Sequence, residues 1–414
     1  MKESRDYSDD ELIDFNYPSA APHIIKAIGV GGGGGNAVTH MYQSGISGVS
    51  FALCNTDNQA LKASSVPVKV LLGNSGLGAG TDPNRGKLEA EKSIDSLKKM
   101  LSDGTKMVFL TAGMGGGTGT GASPVIAKVA RDMGILTVGI VTLPFLFEGR
   151  KKIDQALDGI EVLAQQVDAM MVINNERLRE IYQDLTLINA FAKADDILTQ
   201  AAQSIVDIIG TPGKWNVDFQ DVQTTLRNGG VSIISTGYGE GEHRLAKAIE
   251  NALASPLLNE NDIYNSKKII LNIYTSDNED GTLGVDELDD IDLFMSRFKE
   301  EYESKPGFTI DSTLGKKVKV SILASGFGIY DKNSTKEEKD LIEFSLKEEE
   351  REARRNRYYG ERRTKKGKRP KKRHHVFLFN NDEALDNNDL IEAVEKSAVY
   401  NRSGEALHRL KEKQ

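Results

Sequence analysis

The sequence predicts an α/β fold: a mostly parallel sheet with helices on both faces, joined by a long helix to a second, smaller α/β domain. Three observations predict it. Short apolar runs at 23–30, 49–55, 66–72, 106–111, 135–141 and 169–173 alternate with helical patterns, as strands buried between helix layers do. Two of these runs end in glycine loops, at 29–36 and 113–121. Apolar residues Ile188, Phe191, Ala192, Leu198, Ala202, Ile205 and Ile209 recur on a helical period through a stretch of two dozen residues.

Taken in order, residues 1–22 read as an acidic, disordered arm. The start has no apolar core of the kind a signal peptide carries. Residues 23–185 make the first domain and 186–210 the central helix, which Thr211-Pro212-Gly213 ends. Residues 211–330 make the second domain, with strands at 231–236, 268–275, 308–313 and 317–324. Helices near 243–254 and 286–302 are interleaved. From 331 to 385 acidic and basic runs replace the periodic pattern. That composition predicts a charged disordered linker, with helix near 335–352. Residues 386–414 read as a short partner-binding segment.

Composition narrows the function. The 414 residues are 39% hydrophobic and 28% charged, which fits a protein with a real core. The single cysteine, Cys54, lies in an apolar run; a buried thiol is expected, with no disulfide framework. The longest nearly unbroken apolar stretch, 135–147, has 13 residues and includes Pro144, too short for a membrane span of about 20. The net charge of −8 hides an asymmetry. Residues 351–375 hold thirteen Lys/Arg against two Glu, a local +11 that leaves −19 elsewhere. This basic run has three readings: a solvated linker, attraction to anionic lipid or to the acidic body itself, or nucleic-acid binding. No base-reading module accompanies it, so no sequence-specific nucleic acid is expected.

The glycine loops carry the chemistry. A strand, a glycine loop and a helix start make an anion site, because glycine admits close approach and the helix dipole favours negative charge. The loop Gly113-Met114-Gly115-Gly116-Gly117-Thr118-Gly119-Thr120-Gly121 has no lysine, so it is not the Walker loop. In the other loop Gly29, Gly31 and Gly34 satisfy G-x-G-x-x-G, and Asp57 follows the next strand. That pattern alone would suit a nicotinamide-dependent oxidoreductase. Two glycine loops at the ends of parallel strands suit one triphosphate held from two sides. After the long helix come Asn216, Asp218 and Asp221. Two carboxylates at i, i+3 at a helix start either cap it or polarise a water for attack on phosphate.

Together these motifs resemble the FtsZ family, the bacterial tubulin-like cell-division GTPases, over roughly residues 20–330. The quoted matches are Ala112 to Gly121, Gly31–Asn36, Asn55-Thr56-Asp57, Gly78-Ala79-Gly80, and Asn216, Asp218 and Asp221. The resemblance implies a tubulin-like fold that binds GTP or GDP with Mg²⁺. It implies GTP hydrolysis at the junction of head-to-tail copies, where one subunit's Asn216, Asp218 and Asp221 complete the next subunit's site.

The nucleotide contacts it implies begin with Gly31, Gly32, Gly33, Gly34, Gly35 and Asn36. They continue through Asn55, Asp57, Gly78, Ala79 and Gly80 to Gly115, Gly116, Gly117, Thr118, Gly119, Thr120 and Gly121. Glu148 and Lys152 would meet ribose and phosphate, with Lys152 where the family commonly has arginine. Asp196 and Asn175 would meet the guanine, and Phe191 would stack on it. The implied partners are the chain itself and membrane-anchor and division proteins, which the C-terminal tail would bind. The nearest tail segment, 395–402, lacks the usual proline. The implied setting is the cytoplasm, at a mid-cell ring on the inner face of the membrane. A plasmid-partitioning filament of the same chemistry and a non-hydrolysing GTP-binding scaffold are the alternatives.

Overall fold

In the computed structural model of the chain, the described residues are 23–181, 187–211, 213–254, 263–278, 281–298, 301–327 and 345–359. The predicted arm 1–22, most of the predicted linker and the segment 386–414 lie outside them.

Eleven strands appear among the described residues: β1 (Ile25–Val30), β2 (Val49–Asn55), β3 (Val68–Leu71), β4 (Met107–Gly113), β5 (Leu136–Leu143), β6 (Ala169–Asn174), β7 (Gly213–Trp215), β8 (Gly230–Gly239), β9 (Lys268–Thr275), β10 (Glu303–Ile310) and β11 (Val318–Phe327). They form one sheet in the order β3-β2-β1-β4-β5-β6-β8-β11-β9-β10-β7. From β3 to β6 every pairing is parallel. β11 runs antiparallel to both β8 and β9. The two halves of the sheet meet where β6 pairs β8 through two residue pairs, Ala169 with Gly230 and Met170 with Val231.

The helices are α1 (Gly31–Gln43), α2 (Asn58–Ala63), α3 (Pro83–Glu91), α4 (Ile94–Leu101), α5 (Gly117–Asp132), α6 (Arg150–Ala164), α7 (Asn175–Ile181), α8 (Leu187–Gly210), α9 (Phe219–Leu226), α10 (Arg244–Leu253), α11 (Asp289–Met295) and α12 (Ser345–Tyr359). The first-half strands are apolar on both faces because both are covered. Met107 and Phe109 of β4 pack into the core shared with α1 and α8. Val108, Leu110 and Ala112 pack on the opposite side, against α4, α5 and α6. A third core, with Ile233, Leu245, Ile249, Phe294 and Val320, fills the second half.

The central helix α8 contributes Ile197, Leu198, Ala201, Ala202 and Ile205 to a core that also holds Ile234, Ile270 and Leu323 of the second half. It bonds both halves as well. Thr199 Oγ1 lies 3.2 Å from His40 Nδ1 on α1, and Ser204 Oγ 2.8 Å from Thr236 Oγ1 on β8.

Two elements depart from the sequence expectation. β7 is a three-residue edge strand beside β10, too short to announce itself by periodicity. The basic run is not wholly a solvated linker: residues 345–359 form α12, which overlaps the predicted helix 335–352, whose first part lies outside the described residues, and it seats on α6. Arg355 Nη1 donates to both carboxylate oxygens of Asp154 at 3.0 Å, and Arg354 Nη1 to Glu161 at 2.5 Å. Tyr359 is 5% exposed. The remainder of the run, 360–375, is outside the described residues. Cys54 is buried, as expected, and burial pushes its thiol up to about 12.

Candidate active site

The carboxyl ends of β1, β4, β5 and β6 open onto one cavity of about 330 Å³. Open parallel sheets bind ligands at such strand ends. α1 starts directly after β1, and α5 starts four residues after β4. Both first turns present backbone N–H groups that have no partner within the helix. The two glycine loops touch. Gly31 holds φ +70°, and a Cβ there would stand 2.9 Å from the N of Gly119. Side chains would push the loops apart.

The loop 113–121 is braced from inside. Thr120 Oγ1 accepts the Gly115 N–H at 2.8 Å, and Gly117 N donates to Gly80 O at 3.2 Å. Thr118 Oγ1 lies 2.6 Å from Thr56 Oγ1. Gly78 N donates to Thr56 O at 3.0 Å, which ties the 78–80 turn to the end of β2.

Of the expected nucleotide contacts, Gly32, Gly33, Asn36, Gly80, Gly116, Gly117, Thr118, Gly119, Glu148, Lys152, Asn175 and Phe191 line this cavity. Gly31, Gly35 and Asn55 line an adjoining recess of about 140 Å³, which Gly32 and Asn36 share. The other expected phosphate-side contacts line neither space. Gly34 packs on β4, and Gly121 lets the backbone of α3 close on α5. Gly115 and Thr120 bond each other. Ala79 is buried in the turn that Gly78 ties to β2. Asp57 caps α2, its Oδ1 accepting the N–H of Gln59 at 2.8 Å and of Ala60 at 3.3 Å.

Asp196, expected at the guanine, is not among the residues that line the cavity. Its carboxylate pairs with His40 Nε2 at 3.3 Å and Lys193 Nζ at 3.7 Å. Its neighbour Asp195 lines the cavity, with Phe191 and Leu198. Helix geometry explains this: residues four apart share a face, and residues five apart diverge by about 140°. Burial pushes the Asp195 carboxyl up to about 6, the Asp196 charge adds to this, and His40 opposes it. Phe191 is 43% exposed and stands edge-on to Phe145, with ring centroids 5.1 Å apart.

Other wall residues carry signals of a ligand. Thr111 and Asn175 line the cavity, and Thr111 Oγ1 and Asn175 Oδ1 are buried with no hydrogen-bond partner in the protein. Buried polar atoms rarely go unpaired. Thr111 was legible only as part of a strand. Lys152 Nζ pairs with Glu148 Oε2 at 2.5 Å, while Glu148 Oε1 accepts the Phe145 N–H at 2.8 Å. Among the described residues no group of three His, Cys, Asp or Glu is arranged to hold a metal.

Asn216, Asp218 and Asp221 line neither recess. They follow β7, seven strand positions from β4 in the sheet order, roughly 34 Å along the sheet at about 4.8 Å per strand. Asn216 Oδ1 accepts the Gly213 N–H at 3.2 Å. Asp218 is the N-cap of α9 and forms a reciprocal box with Asp221. Asp221 Oδ1 also lies 3.2 Å from Lys305 Nζ. Trp215 beside them is 63% exposed. Among the described residues no helix is long and apolar enough to cross a membrane.

Comparison with known proteins agrees with this architecture. The family profile "Tubulin/FtsZ family, GTPase domain" matches residues 24–183, "FtsZ family, C-terminal domain" matches 230–328, and "FtsZ, C-terminal" matches 371–414. A cell division protein FtsZ of Porphyromonas gingivalis is 49% identical, covering 97% of this chain and 90% of that protein. One from Coxiella burnetii is 43% identical, covering 73% and 79%. Among solved structures an FtsZ dimer of M. jannaschii superposes with a TM-score of 0.65 at 36% identity, covering 74% of this chain and 89% of that one. A GTPase-domain match over the cavity-bearing half, and a near full-length relative at 49% identity, fix the identity: the chain belongs to the FtsZ family of tubulin-like GTPases.

Proposed function

We propose that the cavity holds GTP, and that the bound GTP is hydrolysed when a second copy supplies Asn216, Asp218 and Asp221 in a head-to-tail filament. One observation carries the reading: the chemistry is split within the chain. A cavity walled by two helix N-termini lies at one end of the strands, and the paired acids sit at the far edge of the sheet. A contact between unlike faces that does not close into a ring builds a filament.

The phosphates lie against the first turns of α1 and α5, with Lys152 within reach. Guanine presents N1–H and N2–H₂ as adjacent donors. The Asp195 carboxylate and the unpartnered Asn175 Oδ1 are acceptors that fit them. Phe191 covers the base. A divalent cation, Mg²⁺ by this chemistry, supplies positive charge to the phosphate oxygens when bound. It needs few protein ligands, and the Thr56 and Thr118 hydroxyls are oxygen donors of the hard type it takes.

At the junction the two carboxylates orient a water. Its oxygen bonds to the γ-phosphorus, the bond to the β–γ bridging oxygen breaks, and GDP leaves. The water's proton passes to a carboxylate or to phosphate. Positioning and electrostatics carry the rate, with no covalent intermediate. The division proteins named among the relatives support a role as the cytokinetic ring, on the inner face of the membrane at mid-cell. The segment 371–414 would take the membrane anchor and other division proteins, and the basic run would meet anionic lipid or acidic filament surface.

Phosphate release and sedimentation, followed together across protein concentration with GTP and Mg²⁺, test the split site. Turnover is expected only above a threshold concentration. Asp221→Ala is expected to pellet with GTP yet release little phosphate. Turnover linear in protein from zero, with no pellet, would mean a complete site in one copy and would overturn the reading.

A further inference from the structure

Asp154, Asp158 and Glu161 lie on one face of α6 at spacings of four and three. Against this acidic stripe sits α12, at the start of the basic run. Arg355 grips Asp154 with two 3.0 Å bonds, and Arg354 bridges Asp158 at 3.0 Å and Glu161 at 2.5 Å. The far end of α12 is anchored by different chemistry. The Tyr359 ring joins the core under α6, and its hydroxyl donates to Pro144 O at 2.6 Å. Asn174 Nδ2 donates to Tyr358 O at 2.6 Å.

Those anchor points border the cavity. Pro144 lines it and precedes Phe145, whose N–H holds Glu148. Asn174 ends β6 and precedes Asn175, which also lines it. We propose that the acidic face of α6 is the docking surface for this chain's own helix 345–359, and that seating of the helix and nucleotide binding reinforce each other through Pro144 and Asn174. The inference rests on the nucleotide reading of the cavity. A seated α12 fixes the strand ends that carry Glu148 and Asn175, and a bound nucleotide fixes the same strand ends from inside. Coupling of this kind is reciprocal, so each event must strengthen the other by the same factor.

The test uses the full chain and two readouts. Hydrogen exchange of the 345–359 amides is measured with and without GDP, and GDP affinity is measured by titration. Arg355→Glu should speed exchange across the helix and weaken GDP about five-fold or more. Adding Asp154→Arg to Arg355→Glu should restore both, because the ion pair is re-formed in reverse. In the wild type, GDP should slow exchange of the helix by a matching factor. Fast exchange of 345–359 in the wild type under all conditions would overturn the docking. Exposure of the helix by Arg355→Glu with unchanged GDP affinity would overturn the coupling. Failure of the wild type to bind GDP would overturn the nucleotide reading and, with it, the coupling, while exchange would still report on docking.

Discussion

Asp218 and Asp221 each accept the other's backbone N–H: Asp218 Oδ1 holds the amide of Asp221 at 3.0 Å, and Asp221 Oδ2 holds that of Asp218 at 3.1 Å. The pair is thus a capping box for α9 and, in the proposed reaction, a water-polarising pair. The two roles separate by substitution. Asparagine caps as well as aspartate does. Asp218→Asn is therefore expected to keep its melting temperature and lose most GTP turnover, whereas Asp218→Ala should lose turnover and about 1 kcal/mol of stability. Thermal melts beside phosphate release check this; Asp218→Asn with undiminished turnover would leave the pair a cap and nothing more.

The assignment of the guanine contact to Asp195 gives a second prediction. Asp195→Ala removes a charged acceptor and is expected to weaken GDP by about ten-fold or more, as loss of a charge-assisted bond of about 1.5–3 kcal/mol requires. Asp196→Ala, which breaks only the exposed pairs with His40 and Lys193, should change it by less than about three-fold. Equilibrium titration of both variants decides between neighbours.

A pH dependence follows from the same carboxyl. Burial raises Asp195 to about 6 from an ordinary value of 3.8. The proton is bound more tightly in the folded chain, so this group favours folding below about 4 and that contribution is lost as pH rises through about 6. Guanine binding has the opposite trend, since it needs the carboxylate. GDP affinity should fall as pH drops below about 6, and Asp195→Asn should remove that inflection. An affinity profile flat from pH 5 to 8 in the wild type would contradict the assignment.

Gly121 tests the loop's architecture. A Cβ there would run into the Pro83 carbonyl, which is backbone and has little room to move. Gly121→Ala is expected to destabilise the fold by about 1–3 kcal/mol, the usual cost of overpacking. Denaturant melts measure it.

Trp215 reports on assembly. It is the only tryptophan in the sequence, is largely exposed, and adjoins Asn216. If the face around Asn216 meets the next subunit, its emission should shift to the blue as GTP-driven assembly proceeds. An unchanged spectrum through full sedimentation would take Trp215 out of the interface.

The strands of the first half and both glycine loops were legible because they are local. Apolar runs such as 107–111 need no distant partner to be recognised, and glycine loops at strand ends have one dominant use. The cavity wall was less legible where contact is long-range. Thr111 reads as an ordinary strand residue until the fold leaves its hydroxyl unpaired against a ligand-sized space. The place of Asp195 beside Phe191 was within reach of the sequence, since the two are one helical turn apart. α12 was not. Its basic residues look like a solvated run, and the acids that seat it lie about 200 residues earlier on α6.

The sheet resists bending through its ladder of backbone bonds, and between β6 and β8 that ladder shrinks to two residue pairs. Twisting one half against the other there would strain few hydrogen bonds. The stiffness across this seam falls to α8, whose side chains grip His40 on one side and Thr236 and Lys319 on the other. In a loaded filament this helix is an axle: force entering at the Asp218 end would reach the glycine loops through packed side chains on α8 more than through the sheet. Softening that axle, for instance at Ile205, should blur the response of one end of the subunit to events at the other while leaving each end intact.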